Sequence, residues 1–178
     1  MKTILGNINV KKGDITKEPC DAIVNAAAPA LLGGGGVDGA IHRAAGPELL
    51  KECRTLGGCK NGEARITGAY NLPSKYVIHT PGPVYRGGKE GEAETLKNSY
   101  RNSLLLAKEK RIKSIAFPAI STGVYGYPRN EAAEIAINSV IDFMNKEKYI
   151  LKIIFILFDD ESYNIYNIIL EGKKNELS

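Results

Sequence analysis

A chain of 178 residues, 43% hydrophobic and 25% charged, suits one globular domain with one sizeable core. The formal net charge of +4 favours the approach of an anionic ligand, but Lys and Arg are spread along the chain without a dense basic run, and Trp is absent, so a nucleic-acid-binding patch is not expected. The longest apolar stretch, 153–158, is far too short to span a membrane.

Residues 4–10 alternate weakly and predict a first strand near a sheet edge. Gly13-Asp14 is a turn signal, and Asp14 or Thr16 is placed to cap a short helical turn. That segment reads equally well as a surface turn and as part of a site. Ala22-Ile23-Val24 reads as a buried strand. Gly33-Gly34-Gly35-Gly36 then removes four β-carbons in succession, and Asp38-Gly39 opens a helix over 40–45. Strand, glycine loop and helix together let a backbone approach a ligand closely and aim free N–H groups at an anion. The plainer alternatives are a flexible loop and an N-cap role for Asp38. Four glycines wedged between a strand and a helix make a poor linker, however.

Gly46-Pro47 ends one helix and starts another over 48–55. Strands are predicted over 64–69 and 76–80, followed by a long helix over 92–110 with Leu96, Tyr100, Ser103, Leu104 and Ala107 on one face. A strand over 113–117 leads into a second small-residue loop, 119–128, and a helix over 129–145. Residues 151–158 form the most apolar strand, expected at the centre of the sheet, and a last helix is expected over 161–170. A charged tail, 171–178, closes a single domain whose core runs from about 4 to 170. Alternating strands and helices indicate an α/β fold with a mostly parallel sheet covered on both faces. Ligands of such sheets sit beyond the carboxyl ends of the strands, where both glycine loops lie.

The three cysteines, Cys20, Cys53 and Cys59, are odd in number, and the chain opens without a signal-peptide pattern. Both observations fit a reducing cytoplasm. No nearby His completes a zinc set, and no metal or cofactor is expected.

Several motifs carry a family resemblance. Asp21-Ala-Ile-Val-Asn-Ala-Ala27 followed by Leu31-Leu-Gly-Gly-Gly-Gly-Val-Asp-Gly-Ala-Ile-His-Arg-Ala-Ala-Gly46 resembles the signature of the macrodomain family, in its MacroD-type branch. Gly13-Asp14-Ile15-Thr16, His79-Thr-Pro-Gly-Pro-Val-Tyr-Arg-Gly-Gly88 and Phe117-Pro-Ala-Ile-Ser-Thr-Gly-Val-Tyr-Gly-Tyr-Pro128 match the same branch in the same order. The pattern is similar to that of bacterial O-acetyl-ADP-ribose deacetylases. The resemblance implies a three-layer α/β/α fold and ADP-ribose as ligand. It further implies O-acetyl-ADP-ribose and mono-ADP-ribosylated proteins as substrates. Asp14 is expected to accept from the adenine amine beside the Ile15 backbone, and Phe158 to pack on the adenine. Backbone N–H groups of Ser121, Thr122, Gly123, Val124 and Tyr125 are expected on the diphosphate. Gly35, Gly36 and Val37 would wrap it from the other side, Tyr125 would cover the distal ribose, and Asn25 counts among the ligand-binding residues. Nucleic acid is not expected as a partner, except ends that carry ADP-ribose, and the chain is expected to be a monomer.

The implied reaction hydrolyses an ester on the distal ribose by a positioned water, with Asp38 orienting or deprotonating it. His42 and His79 are read as packing or supporting residues rather than bases. Position 28 departs from the family pattern. The hydrolases read Asn-Ala-Ala-Asn where this chain reads Asn25-Ala26-Ala27-Ala28. Ala28 lacks the amide expected to orient the ribose, so turnover is expected to fall roughly 10²- to 10³-fold, with binding less affected. A natural shift toward binding and an engineered inactivating substitution both account for Ala28, and the second is preferred. A non-catalytic ADP-ribose reader is the alternative function. A P-loop enzyme is a weak third reading, because no Gly-Lys-Ser/Thr follows either loop.

Overall fold

The computed structural model describes residues 1–177. Six strands form one sheet: β1 (Ile8–Lys12), β2 (Ala22–Ala26), β3 (Arg65–Gly68), β4 (Tyr76–Thr80), β5 (Ser114–Phe117) and β6 (Lys152–Leu157). Their spatial order is β1-β6-β5-β2-β4-β3. All neighbours pair in parallel except β3, which runs antiparallel to β4 at one edge. Six α-helices accompany them: α1 (Lys2–Gly6), α2 (Gly36–Ala45), α3 (Pro47–Arg54), α4 (Glu92–Glu109), α5 (Arg129–Glu147) and α6 (Asp160–Asn175).

Strand alternation divides the core into two layers. In β6, Ile153, Phe155 and Leu157 face the larger cluster beneath α1, α4, α5 and α6. Ile154 and Ile156 face the smaller cluster, which the α2–α3 pair covers. Strands buried on both faces need apolar residues at nearly every position, hence the unbroken run at 153–157. The expected three-layer α/β/α architecture is therefore present.

Three local expectations are corrected. Ile4 and Leu5 lie in the short helix α1, and the first strand begins only at Ile8; both residues pack into the larger cluster, so burial over one helical turn produces the apolar pattern. The most apolar strand, β6, is not central but lies between β5 and the edge strand β1. Helix α6 does not stop at Leu170 but continues to Asn175, with Lys173 and Lys174 in the last turn, where positive charge suits the helix dipole. Its start is fixed by Asp159, whose carboxylate accepts from the Ser162 N–H. The three cysteines are buried and unpaired, and burial pushes each thiol up to about 11.

Candidate functional site

The carboxyl ends of β1, β6, β5, β2 and β4 all open on one edge of the sheet, a consequence of their parallel pairing. A cleft of about 590 Å³ lies there, between the loop after β2 and the loop after β5. Gly35, Gly36, Val37, Asp38 and Ala28 line one wall, and residues 119–125 line the other.

The first wall is built by a helix start without a side-chain cap. Gly35 occupies the N-cap position, so the N–H groups of the first turn of α2 are left to face the cleft. Asp38 is therefore not the N-cap but a residue of the first turn. The glycines are needed where loop and helix meet. A β-carbon on Gly39 would stand 2.5 Å from the Gly34 carbonyl oxygen, and one on Gly34 would stand 3.1 Å from Asp38 Oδ2.

The second wall is mostly main chain. Ser121 adopts φ +69° and its hydroxyl is buried without a hydrogen-bond partner among the described residues. Tyr127 N–H donates to the Ser121 carbonyl and Gly126 N–H to that of Gly123, so the loop turns tightly. The N–H groups of Thr122, Gly123, Val124 and Tyr125 make no backbone hydrogen bonds among the described residues. They form a nest of donors suited to an anion. Gly82 closes in from below, where a β-carbon would meet Ser121 Oγ at 2.3 Å.

Asp38 is 5% exposed, yet it lines the cleft. Its Oδ1 is engaged twice, by Asn25 Nδ2 at 2.8 Å and by His42 Nε2 at 3.4 Å. Oδ2 makes no hydrogen bond among the described residues, so one carboxylate oxygen is anchored and the other is available. Asn25 does not belong to the cleft lining. It is fully buried in β2, and its amide spans Asp38 and His79 Nδ1, the latter at 3.2 Å. Burial, with His42 adding a smaller repulsion, lowers His79 to about 3, so its ring is neutral.

Asp14, Ile15 and Phe158 lie outside this cleft, at the ends of β1 and β6. Gly13 N–H donates to the Leu157 carbonyl at 3.0 Å, which brings the Asp14 turn beside Phe158. Asp14 caps the 3₁₀ turn Ile15–Lys17, accepting through Oδ1 from the Thr16 hydroxyl and N–H. Those two bonds hold its carboxyl below the ordinary range. The Ile15 side chain is buried in the smaller core cluster, and Phe158 is 88% exposed. Gly82 and Ala119 were not among the predicted site residues, although both sit within the motifs that carry the resemblance. Among the described residues no three His, Cys, Asp or Glu are grouped to hold a metal, and no helix is long and apolar enough to cross a membrane.

The model of the Macro domain family matches residues 24–136. A macro domain-containing protein of Chlorobaculum tepidum is 58% identical over 159 residues, 89% of this chain and 92% of that one. An O-acetyl-ADP-ribose deacetylase of Citrobacter rodentium is 55% identical over 167 residues, 92% of this chain and 94% of its own length. Among solved structures, a mutant of the Oceanobacillus iheyensis macrodomain with ADPR superimposes with a TM-score of 0.89 at 46% identity, covering 93% of this chain and 92% of that one.

Proposed function

The chain belongs to the macro domain family, and from that premise we propose that its cleft binds ADP-ribose and hydrolyses esters on the distal ribose, with turnover slowed by Ala28. The substrates are O-acetyl-ADP-ribose and mono-ADP-ribose carried on acidic side chains. The observation that carries this reading is Asp38, with Oδ1 tied to Asn25 and His42 and Oδ2 unpaired at the cleft. The names of the Citrobacter relative and the ligand of the Oceanobacillus structure support it.

The diphosphate lies between the first turn of α2 and the N–H groups of residues 122–125, where both walls offer donors. Phe158 gives the adenine an apolar face, and Asp14 accepts from its amine through the oxygen not used in capping. The distal ribose then falls beside Asp38, Val37 and Tyr125. Asp38 Oδ2 accepts a proton from water as the water oxygen bonds to the acyl carbon. The bond between that carbon and the ribose oxygen breaks, the ribose oxygen takes up the proton held by Asp38, and a carboxylic acid leaves with the carboxylate of Asp38 regenerated.

Ala28 lines the cleft, and its side chain offers neither donor nor acceptor there. That observation favours the second reading, an ADP-ribose reader without turnover. Calorimetry with ADP-ribose and an overnight O-acetyl-ADP-ribose assay separate the two. We expect micromolar binding, about −8 kcal/mol, with weak turnover that Ala28→Asn raises roughly 10²- to 10³-fold. A restored protein that stays inert would leave the reader function standing.

A further inference from the structure

We propose that His79 is a positioning residue for Asp38, acting through Asn25. The inference rests on the reading of Asp38 as the group that handles the attacking water. Three neighbouring strands set three polar side chains in a row under α2. Asn25 of β2 is the register partner of His79 of β4, and Thr67 of β3 is the partner of Val77, two residues away. All three therefore emerge on one face of the sheet. That face is otherwise apolar, as Ile23 and Val77 show.

The hydrogen bonds run in one direction. The Thr67 hydroxyl donates to the Gly68 carbonyl at 3.0 Å, so toward His79 Nε2, at 2.9 Å, it acts as acceptor, and Cys53 Sγ, 3.8 Å from the same nitrogen, is a weak acceptor beside it. His79 thus carries its proton on Nε2, and Nδ1 is left to accept. Asn25 Nδ2 gives one proton to Nδ1 and the other to Asp38 Oδ1. A flipped amide would press Oδ1 against both a carboxylate oxygen and the imidazole lone pair. The tautomer of His79 therefore selects the amide orientation that holds Asp38. The arrangement leaves Asn25 Oδ1 buried without a partner among the described residues. A position that served packing alone would carry an apolar side chain and strand no acceptor.

The test uses the full chain with His79→Leu, which removes the acceptor, and His79→Asn, whose amide oxygen replaces Nδ1. Side-chain ¹⁵N–¹H spectra read the Asn25 Nδ2 protons directly. They are expected to exchange slowly in the native chain and in His79→Asn, and at least about 10-fold faster in His79→Leu. Single-turnover hydrolysis of O-acetyl-ADP-ribose, with enzyme in excess, separates maximal rate from half-saturation. His79→Leu is expected to lower the maximal rate about 10-fold and to leave half-saturation and ADP-ribose affinity within about twofold, with His79→Asn recovering most of the rate. An unchanged rate, or Nδ2 protons still protected in His79→Leu, overturns the proposal. If even the Ala28→Asn chain turns nothing over, the hydrolase reading fails and the spectra alone decide the positioning role. Should His79→Leu not fold, Thr67→Val carries the test: it removes the acceptor for Nε2–H, and the proposal fails if the Asn25 Nδ2 protons stay as protected, and the maximal rate as high, as in the native chain.

Discussion

The two ends of the cleft edge are built in opposite ways. Where β2 and β4 end, Asn25, Asp38 and His79 are almost wholly buried and bonded to one another. Where β1 and β6 end, Phe158 stands in solvent and Asp14 bonds only within its own turn. The difference matches the two tasks proposed for them. An aspartate that must meet a water at a fixed angle needs neighbours that deny it other rotamers. A ring that stacks on a base needs only an open face. Substitutions at the first end should therefore disturb chemistry or stability, and those at the second end affinity alone.

The largest effect expected is at Asp38. Asp38→Asn, made together with Ala28→Asn, should cut O-acetyl-ADP-ribose turnover about 10³-fold and move the calorimetric affinity for ADP-ribose by less than about threefold. An equal loss of both would mean that Asp38 serves binding rather than chemistry.

Acid should weaken the buried end next. Folded His79 takes up a proton only near 3, whereas an exposed histidine does so near 6.5. Between those values the unfolded chain binds more protons, so stability is complete above 6.5 and declines as pH falls, by about 1.4 kcal/mol per unit. Urea melts at pH 7.5 and 4.5 should differ by about 2–3 kcal/mol, and His79→Asn should flatten that difference. Glu92 acts in the same direction but lower. N–H donors from Arg86, Gly88 and Glu90 hold its carboxyl at about 2 against an ordinary 4.5, so its contribution is lost only below 4.5.

Gly39→Ala comes third. The carbonyl that its β-carbon would strike belongs to the loop main chain, which must shift to make room. We expect a loss of about 1–3 kcal/mol in urea denaturation, together with weaker ADP-ribose binding. Phe158→Ala comes last in reach: affinity for ADP-ribose should fall about 5- to 10-fold while the melting temperature stays within about 1 °C. A melting temperature that drops with Phe158→Ala would erase the distinction between the two ends.

The same contrast decides what could be read from residues alone. The turn at Asp14 and the two glycine loops were legible as local structure, because each is set by its own side chain or its lack of one, and the roles proposed for them and for Phe158 rest on the reading given above. The unbroken apolar run of β6 and the helical face of α4 were legible for the same local reason. Asn25 was expected at the ligand; in the structure it is fully buried and outside the cleft lining, bonded to Asp38. Its role depends on register between β2 and β4, which brings residues 54 positions apart side by side. His79 was expected to be structural, and nothing local marks it as a neighbour of Asn25. The start of α2 at Gly36 rather than near residue 40 was missed because glycine is a poor helix former. Here the unpaired N–H groups, not the propensity, account for the residue.

The buried cysteines have a practical use. With thiols near 11, only about one in 10⁴ of each is thiolate at neutral pH, and none is paired or exposed. A single cysteine placed on the solvent face of α6, at Ile168 for example, should therefore take a maleimide dye or spin label selectively while the native three are left in place.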